Sequence, residues 1–140
     1  MRVLIAVCLV LISFPTLADG FHLVCEAKKG VGYRLDTMPD GKILLDEWSE
    51  EGAFNSKWNF RYSGAGDLIQ VDGKDSLMFY VNDSIIVTEY AQNGSAQSLW
   101  SYAINLINME AVASQVNVAN VMGQSVKARS VSLSCSVQRY

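Results

Sequence analysis

The sequence predicts an all-β protein, namely a small antiparallel β-barrel or sandwich built as an up-and-down meander of about 8 to 10 short strands. Three observations predict this class. Apolar and polar residues alternate in many short segments, as in "SVSLSCSV" (130–137). These segments are rich in β-branched and aromatic residues, which favour strands. Turn-forming residues recur about every 8 to 12 positions, which is the spacing of hairpins.

The predicted strands follow one another along the chain with a turn signal after most of them. Pro39-Asp40-Gly41 favours a turn because Pro fixes φ and Gly accepts a positive φ. Asn82 and Asn93 each begin an Asn-X-Ser sequon in a predicted turn, although Asn93-Gly94 is more simply a tight hairpin turn. "KKGVG" separates the first two strand segments. These segments are, in order, FHLVCEA, YRLDT, KILLD, KWNFRY, DLIQV, LMFYV, SIIVTEY, LWSYAINLI and SVKARSVSLSCSV.

Two segments follow the alternating pattern less well. In residues 109–120, "MEAVASQVNVAN", Met109, Val112 and Val116 have helical spacing, whereas the valine content favours a strand. We interpret this segment as a strand, with a helix as the alternative. Residues 46–54, "DEWSEEGAF", are interpreted as a helical turn or a loop.

Residues 1–18, "MRVLIAVCLVLISFPTLA", have the features of a cleaved secretory signal peptide. Arg2 provides the positive start, an apolar run follows, and Thr16-Leu17-Ala18 ends the segment with small residues where signal peptidase cleaves. The run is too short for a membrane span, which needs about 20 apolar residues. We therefore expect an exported protein, periplasmic or extracellular, with a single β domain over residues 19–140. An uncleaved anchor is the alternative.

The cysteines predict a disulfide between the two ends of the domain. The chain has three cysteines, and loss of Cys8 with the signal peptide leaves Cys25 and Cys135, an even number that fits an oxidising compartment. Both lie on the apolar side of their strands. In a closed meander the first and last strands are neighbours, because closure removes both edges. We therefore predict a Cys25–Cys135 bridge that joins these strands, with two free buried thiols as the alternative.

The charge of the chain excludes several classes of partner. The chain has 11 basic and 14 acidic residues, and loss of Arg2 leaves 10 basic and 14 acidic residues, a net charge of −4. Nucleic acids and anionic membranes favour clusters of Lys and Arg, and the only basic pair in residues 19–140 is Lys28-Lys29. No recognised phosphate-binding glycine loop occurs. We expect no cofactor, no nucleic acid and no membrane after cleavage, so that the partner is a small molecule or a protein.

Residues suited to catalysis are sparse. His22 is the one histidine. It lies on the polar side of the first strand, where an exposed histidine is a simpler interpretation than a catalytic base. One histidine and two bridged cysteines are too few for zinc, so we expect no metal site. The acidic residues lack an EF-hand pattern, and we interpret them as solvated rather than as a glycosidase pair. Those in clusters are Asp46, Glu47, Glu50, Glu51, Asp72 and Asp75.

Aromatic residues are the candidate binding residues. Trp58, Trp100 and Tyr102 lie on the apolar side of their strands and border a ligand cavity if the barrel is hollow, although such residues more often fill a core. Trp48, beside the acidic stretch, is a candidate anchor for a protein partner. We therefore predict a non-enzymatic binding module for a small apolar ligand or a protein partner. The alternatives are a secreted inhibitor or interaction protein that acts through its loops and a carboxylate-based hydrolase.

Two resemblances add little to this interpretation. "CEAKKGVGYRLD", together with the tryptophans in the middle of the chain and the lone cysteine near its C-terminal end, resembles small exported bacterial proteins of unknown function. That resemblance implies no activity. The predicted barrel with a terminal bridge is similar in architecture to exported inhibitors of lysozyme. Their inhibitory loop is not found in this sequence, so the likeness implies an architecture and not a function.

Overall fold

The computed structural model describes residues 19–51, 56–120 and 123–138, and of residues 48–51 it describes the backbone only. The predicted signal peptide lies outside this part of the chain. No helix in the described ranges is long and apolar enough to cross a membrane. The strands in these ranges are β1 (Phe21–Thr37), β2 (Ile43–Glu51), β3 (Lys57–Tyr62), β4 (Leu68–Val71), β5 (Lys74–Val81), β6 (Ser84–Asn93), β7 (Ala96–Asn105), β8 (Glu110–Asn120) and β9 (Gln124–Val137).

The strands form a closed antiparallel barrel, which confirms the predicted class. Strands β3 to β9 pair in chain order, β3 also pairs with β1, and β9 returns to β1, so that eight strands close the circle. β2 lies outside this circle and pairs with the second half of β1. β3 pairs with β1 only at residues 21–26, β5 pairs with β6 only at residues 84–88, and β4 lies between β3 and β5. The barrel therefore closes at one end only, which we call the lower barrel.

At the other end six strand segments continue as an open sheet, which we call the upper sheet. Its order is β2-β1-β9-β8-β7-β6. The two ends share one inward face, because residues of one parity in a strand point to the same side. In β1 the inward parity changes from odd to even numbers at the register shift between Ala27 and Lys29. The upper sheet consists of residues 43–51, 29–37, 124–132, 112–120, 96–103 and 86–93.

β1 is one long strand, so the predicted break at "KKGVG" is wrong. Its register with β9 shifts between Ala27 and Lys29, where Lys28 forms a bulge. A bulge adds a residue to one strand, bends it and increases its twist without ending it. Residues 21–26 pair with β3 and residues 29–37 pair with β2, while β9 lies along both halves. β1 therefore connects the lower barrel to the upper sheet.

β2 extends further than the sequence predicts. The prediction of a helical turn or loop for residues 46–54 is wrong for residues 46–51, which continue the strand opposite residues 29–34 of β1. The ladder to β1 overrides the weak strand preference of acidic residues, because strand propensity depends strongly on context. Residues 52–54 lie outside the described part of the chain.

Residues 110–120 form a strand, as the preferred interpretation of residues 109–120 proposed. β8 pairs with β7 on one edge and with β9 on the other. Ala111 and Ala113 are buried whereas Glu110 and Val112 are exposed. This alternation has the period of two that a strand requires, and the pairing on both edges explains why the helical spacing of the valines has no effect.

Side chains fill the lower barrel. Buried apolar residues come from all eight strands of the circle and occupy the inward positions that the alternating sequence pattern predicts. Burial of a large aliphatic or aromatic side chain contributes about 1.5–3 kcal/mol. Open space therefore lies above this core, along the upper sheet. The largest fully buried side chains are Tyr102, Phe60, Leu23, Ile69, Ile85, Ile104, Leu133, Val71, Val87, Val131 and Cys25.

A disulfide joins Cys25 and Cys135, which confirms the predicted bridge. The two residues are direct partners in the β1–β9 register, and both are buried. The bond thus crosses the seam at which the barrel closes. Disulfides persist in oxidising environments, so this bond suggests that the protein is exported.

Candidate functional site

The inward-facing residues of the upper sheet line an open trough above the core. Because the strands pair in register, one inward residue from each strand falls on a common row across the sheet. Polar and charged side chains outnumber apolar ones in these rows, and such a surface does not suit a dry core, because burial of unpaired polar groups costs free energy. The row nearest the core contains Gly32, Arg129, Gln115, Trp100 and Glu89. The next row contains Arg34, Lys127, Asn117 and Ser98.

Three of the four predicted binding residues meet at the bottom of the trough, and we call them the aromatic floor: Trp58, Trp100 and Tyr102. The Trp58 ring centroid lies 6.0 Å from that of Trp100 and 6.2 Å from that of Tyr102. The Trp100 and Tyr102 rings are parallel, with centroids 5.9 Å apart. Tyr102 is buried and meets Phe60 edge-on, whereas both tryptophans are only partly buried. The floor is therefore the boundary between the core and the trough.

The remaining predicted residues lie beside this floor. Cys25 is the register partner of Trp58, so the disulfide is immediately next to it. Trp48 is directly opposite Gly32 on β2, and its backbone therefore belongs to the row of Trp100. The Trp48 side chain is outside the described part of the structure, and its binding role stays a prediction.

Arg129 is a site residue that the sequence analysis missed. Its guanidinium carbon lies 4.7 Å from the centroid of a Trp100 ring, a cation–π contact. Its Nε donates a hydrogen bond to Oε1 of Gln115 at 2.6 Å, and Nε2 of Gln115 donates to Oγ of Ser98 at 2.9 Å. The sequence did hold a signal for it, since Arg129 shares the inward parity of Val131 and is a charged residue among apolar ones.

Burial and neighbouring charges set the protonation of the side chains around the floor. Burial raises the pKa of the Tyr102 hydroxyl far above its usual range, and the nearby Glu89 carboxylate raises it further. That hydroxyl donates to Oε2 of Glu89 at 3.4 Å. Partial burial lowers the pKa of the Arg129 guanidinium, although an arginine stays charged in proteins. The floor is thus bordered by the Arg129 guanidinium on one side and by the Glu89 side chain on the other.

The upper rows of the trough contain a second set of charges. Nε of Arg34 lies 2.6 Å from Oδ2 of Asp36. This hydrogen bond raises the pKa of Arg34 and lowers the pKa of Asp36, and the charge of Lys127 also lowers the pKa of Asp36. Arg34 is therefore committed to a carboxylate of its own strand. Arg129 and Lys127, in contrast, line a separate open space.

That open space is a pocket of about 350 Å³ on the β8–β9 side of the trough. Two cations and two amides face it, so it offers charged donors together with groups that both donate and accept. Charge-assisted hydrogen bonds are about twice as strong as neutral ones, which makes an anion the best match for this lining. The pocket is lined by Gln115, Asn117, Lys127, Ala128 and Arg129.

A larger opening of about 830 Å³ lies at the other end of the barrel, between Phe21, Tyr62 and outward-facing polar residues that include His22. Its lining mixes the core residues Phe21 and Tyr62 with exposed polar residues, and it contains neither of the two predicted tryptophans Trp58 and Trp100. Nε2 of His22 lies 3.4 Å from Oδ1 of Asn59, a contact with an amide rather than with a nucleophile. We therefore place the candidate site in the trough.

Within residues 19–51, 56–120 and 123–138, no group of three or more His, Cys, Asp or Glu side chains is arranged to hold a metal ion. Comparison of the chain with models of known protein families, with curated proteins and with solved structures finds no match. The functional assignment therefore depends on the geometry and charge of the trough.

Proposed function

We propose that the protein is a periplasmic or extracellular binding domain without catalytic activity, and that its trough holds a small anionic ligand that contains a ring. The observation on which this proposal depends is the position of Arg129. Its guanidinium lies over Trp100, its Nε is held by Gln115, and it borders the pocket that Lys127 also lines. A cation fixed before binding loses little side-chain entropy when an anion arrives, and preorganisation of this kind increases affinity.

The aromatic floor supports a ring in the ligand. Trp58 and Trp100 pack against the core and leave part of their surface outside it. A flat or puckered ring placed there buries apolar area, while the amides of Gln115 and Asn117 supply hydrogen bonds to its substituents. An apolar ligand enclosed by the barrel has less support, because buried side chains occupy the lower barrel. Acidic sugars and aromatic carboxylates share the required chemistry.

A fluorescence titration tests the proposal. Two of the three tryptophans lie in the floor, so tryptophan emission reports on the trough. We expect glucuronate or benzoate to change the emission saturably and glucose to leave it unchanged, and the responding acid distinguishes a sugar from an aromatic ligand. Arg129→Gln should weaken binding about tenfold or more, because a charge-assisted hydrogen bond contributes roughly 1.5–3 kcal/mol.

The matched control is Arg61→Gln, which removes an exposed arginine at the lower end of the barrel and should leave the affinity unchanged. Two results contradict the proposal. In the first, neither acid changes the emission at any concentration up to the millimolar range. In the second, glucose binds as well as glucuronate does, so that charge has no part in recognition.

A further inference from the structure

β2 presents one of its two edges to solvent in the part of the chain that the structure describes. Residues 43–51 pair with β1 along their whole length. No strand within residues 19–51, 56–120 and 123–138 pairs with the other edge, and β2 is the terminal strand of the sheet order. A strand edge of this kind is a template for pairing with another chain, since its backbone donors and acceptors are unpaired.

The turn between β1 and β2 determines which backbone groups lie on that edge. N of Met38 donates to O of Lys42 at 2.8 Å, and N of Gly41 donates to O of Met38 at 2.8 Å. Met38 and Lys42 are thus a hydrogen-bonded pair. Antiparallel pairs alternate between bonded and non-bonded types, so the non-bonded positions on β2 begin at Ile43 and recur every second residue. The N–H and C=O groups of Ile43, Leu45 and Glu47 therefore point away from β1.

The side chains along this edge change character at its middle. Ile43, Leu44 and Leu45 are exposed by 61%, 44% and 70%. The rest of the strand, residues 46–51, contains four carboxylate residues and no basic residue. Proteins usually protect an exposed edge with charged residues, proline or a bulge. Residues 43–45 contain no charged residue and no proline, and their register with β1 is unbroken. The edge is therefore open at its apolar end and negatively charged at the other.

The charge pattern selects the kind of strand that fits. A second copy of β2 in a full-length antiparallel pair would place the apolar residues 43–45 opposite the acidic residues of its partner, and a parallel pair would place carboxylates opposite carboxylates. Like charges in opposite positions destabilise a strand pair. A segment with basic residues beside 46–51 and apolar residues beside 43–45 matches both halves of the edge.

We propose that the outer edge of β2 binds an extended basic segment of a protein partner, which adds antiparallel to the upper sheet as a further strand. In that orientation the basic residues of the partner precede its apolar residues. Main-chain hydrogen bonds at Leu45 and Glu47 supply affinity, and the side-chain pattern supplies specificity, as in other cases of strand addition. The site is separate from the trough and does not depend on the ligand proposed for it.

Binding of a labelled synthetic peptide to residues 19–140 tests this proposal. The probe has nine residues, with Lys and Arg in its first half and Val and Ile in its second, and a control peptide has Glu in place of each basic residue. We expect fluorescence anisotropy to show saturable binding of the basic peptide only. Because both steering and register depend on charge, Glu47→Lys should weaken that binding about tenfold, while Asp67→Lys, an exposed turn residue in the lower barrel, should not.

Leu45→Pro separates strand addition from simple charge attraction. Proline removes the outward N–H of Leu45 and no bond to β1, and proline is tolerated on edge strands. We expect this variant to keep its circular dichroism spectrum and to lose binding by about tenfold. Two results overturn the proposal: the basic peptide does not bind the unmodified chain, or it binds Leu45→Pro equally well. A third result assigns the edge to a second copy of the chain instead. In that result the protein dimerises with increasing concentration, Leu45→Pro abolishes the dimer, and the peptide does not bind.

Discussion

Cys25 and Cys135 stand directly opposite each other on β1 and β9 and are covalently joined. The bond therefore lies across the seam of the barrel and next to Trp58, the β3 partner of Cys25. It connects residues separated by 110 positions. A cross-link over so long a loop acts mainly on the unfolded chain, whose conformational freedom it restricts.

Removal of this bond should lower the stability of the fold considerably. For the Cys25→Ala/Cys135→Ala double variant we expect the free energy of unfolding to fall by about 4 to 5 kcal/mol, the chain-entropy value for a loop of this length. Urea denaturation measures the change. Addition of a reducing agent should weaken the unmodified protein similarly and leave the double variant unchanged. Equal stability of the two proteins would show that the seam does not need the bond.

Tyr102 should resist ionisation for as long as the protein stays folded. The chain has six tyrosines, and burial together with the nearby Glu89 raises the pKa of Tyr102 above the ordinary tyrosine value of about 10. Below pH 10 the Tyr102 hydroxyl is protonated in both the folded and the unfolded state, so its contribution to the free energy of unfolding is fully present. As the pH rises above 10 the unfolded state releases this proton and the folded state does not, so that stability falls.

Phenolate absorbance during an alkaline titration measures this behaviour. We expect a component that appears only with unfolding in the unmodified protein and is missing in Tyr102→Phe. The same variant should lose less stability between pH 9 and 11, as measured in urea. A late component of equal size in Tyr102→Phe would assign the delay to another tyrosine.

Ser76 is a position where a polar group reduces stability. It is 5% exposed, faces Ile69 across the β4–β5 pair, and its Oγ has no hydrogen-bond partner in the described structure. A buried hydroxyl without a partner costs about 1–3 kcal/mol, so Ser76→Ala should raise the free energy of unfolding by about 1 kcal/mol. Ser114→Ala, which removes an exposed Ser114–Ser130 contact, should change it by less than about 0.5 kcal/mol. A loss of stability in Ser76→Ala would indicate a hydrogen bond at that site.

Gly20 should tolerate a side chain much less well than Gly66 does. Both have a positive φ, of 70° and 76°, which costs an L-residue about 1–2 kcal/mol. A Cβ at Gly20 would lie 2.6 Å from the backbone oxygen of Tyr62, whereas a Cβ at Gly66 would have nothing within 4 Å. Gly20→Ala should therefore destabilise the protein by at least about 1 kcal/mol more than Gly66→Ala. Equal effects in thermal unfolding would mean that β1 does not begin so close to the end of β3.

The alternating pattern was sufficient to predict the barrel and its bridge. Side-chain parity placed Cys25 and Cys135 on the inward face, and closure of a meander made their strands neighbours. The pattern failed at Lys28, because a bulge interrupts the alternation in the same way as a turn does. It also failed along residues 46–51, where pairing with β1 holds acidic residues in a strand.

The candidate site was only partly predictable, because the alternating pattern shows which side chains face inward and not where the barrel is open. The three floor residues are large and aromatic, and parity alone placed them inside the barrel. The roles of Arg129 and Lys127 depend on the upper sheet, which stays open where β3, β4 and β5 do not extend. The sequence does not show where a sheet opens. A filled barrel offers no position for an inward-facing charge, so the sequence alone did not assign a role to Arg129 or Lys127.

Native mass spectrometry of protein released gently from the exported fraction tests the central claim, that the trough binds a small ligand. We expect the unmodified protein to have an additional discrete mass that disappears on denaturation. The Trp100→Leu/Arg129→Gln variant, with an unchanged circular dichroism spectrum, should lack that mass. Ligand binding in the trough is contradicted if the variant retains the same mass, or if the unmodified protein carries no additional mass even after incubation with millimolar glucuronate and benzoate.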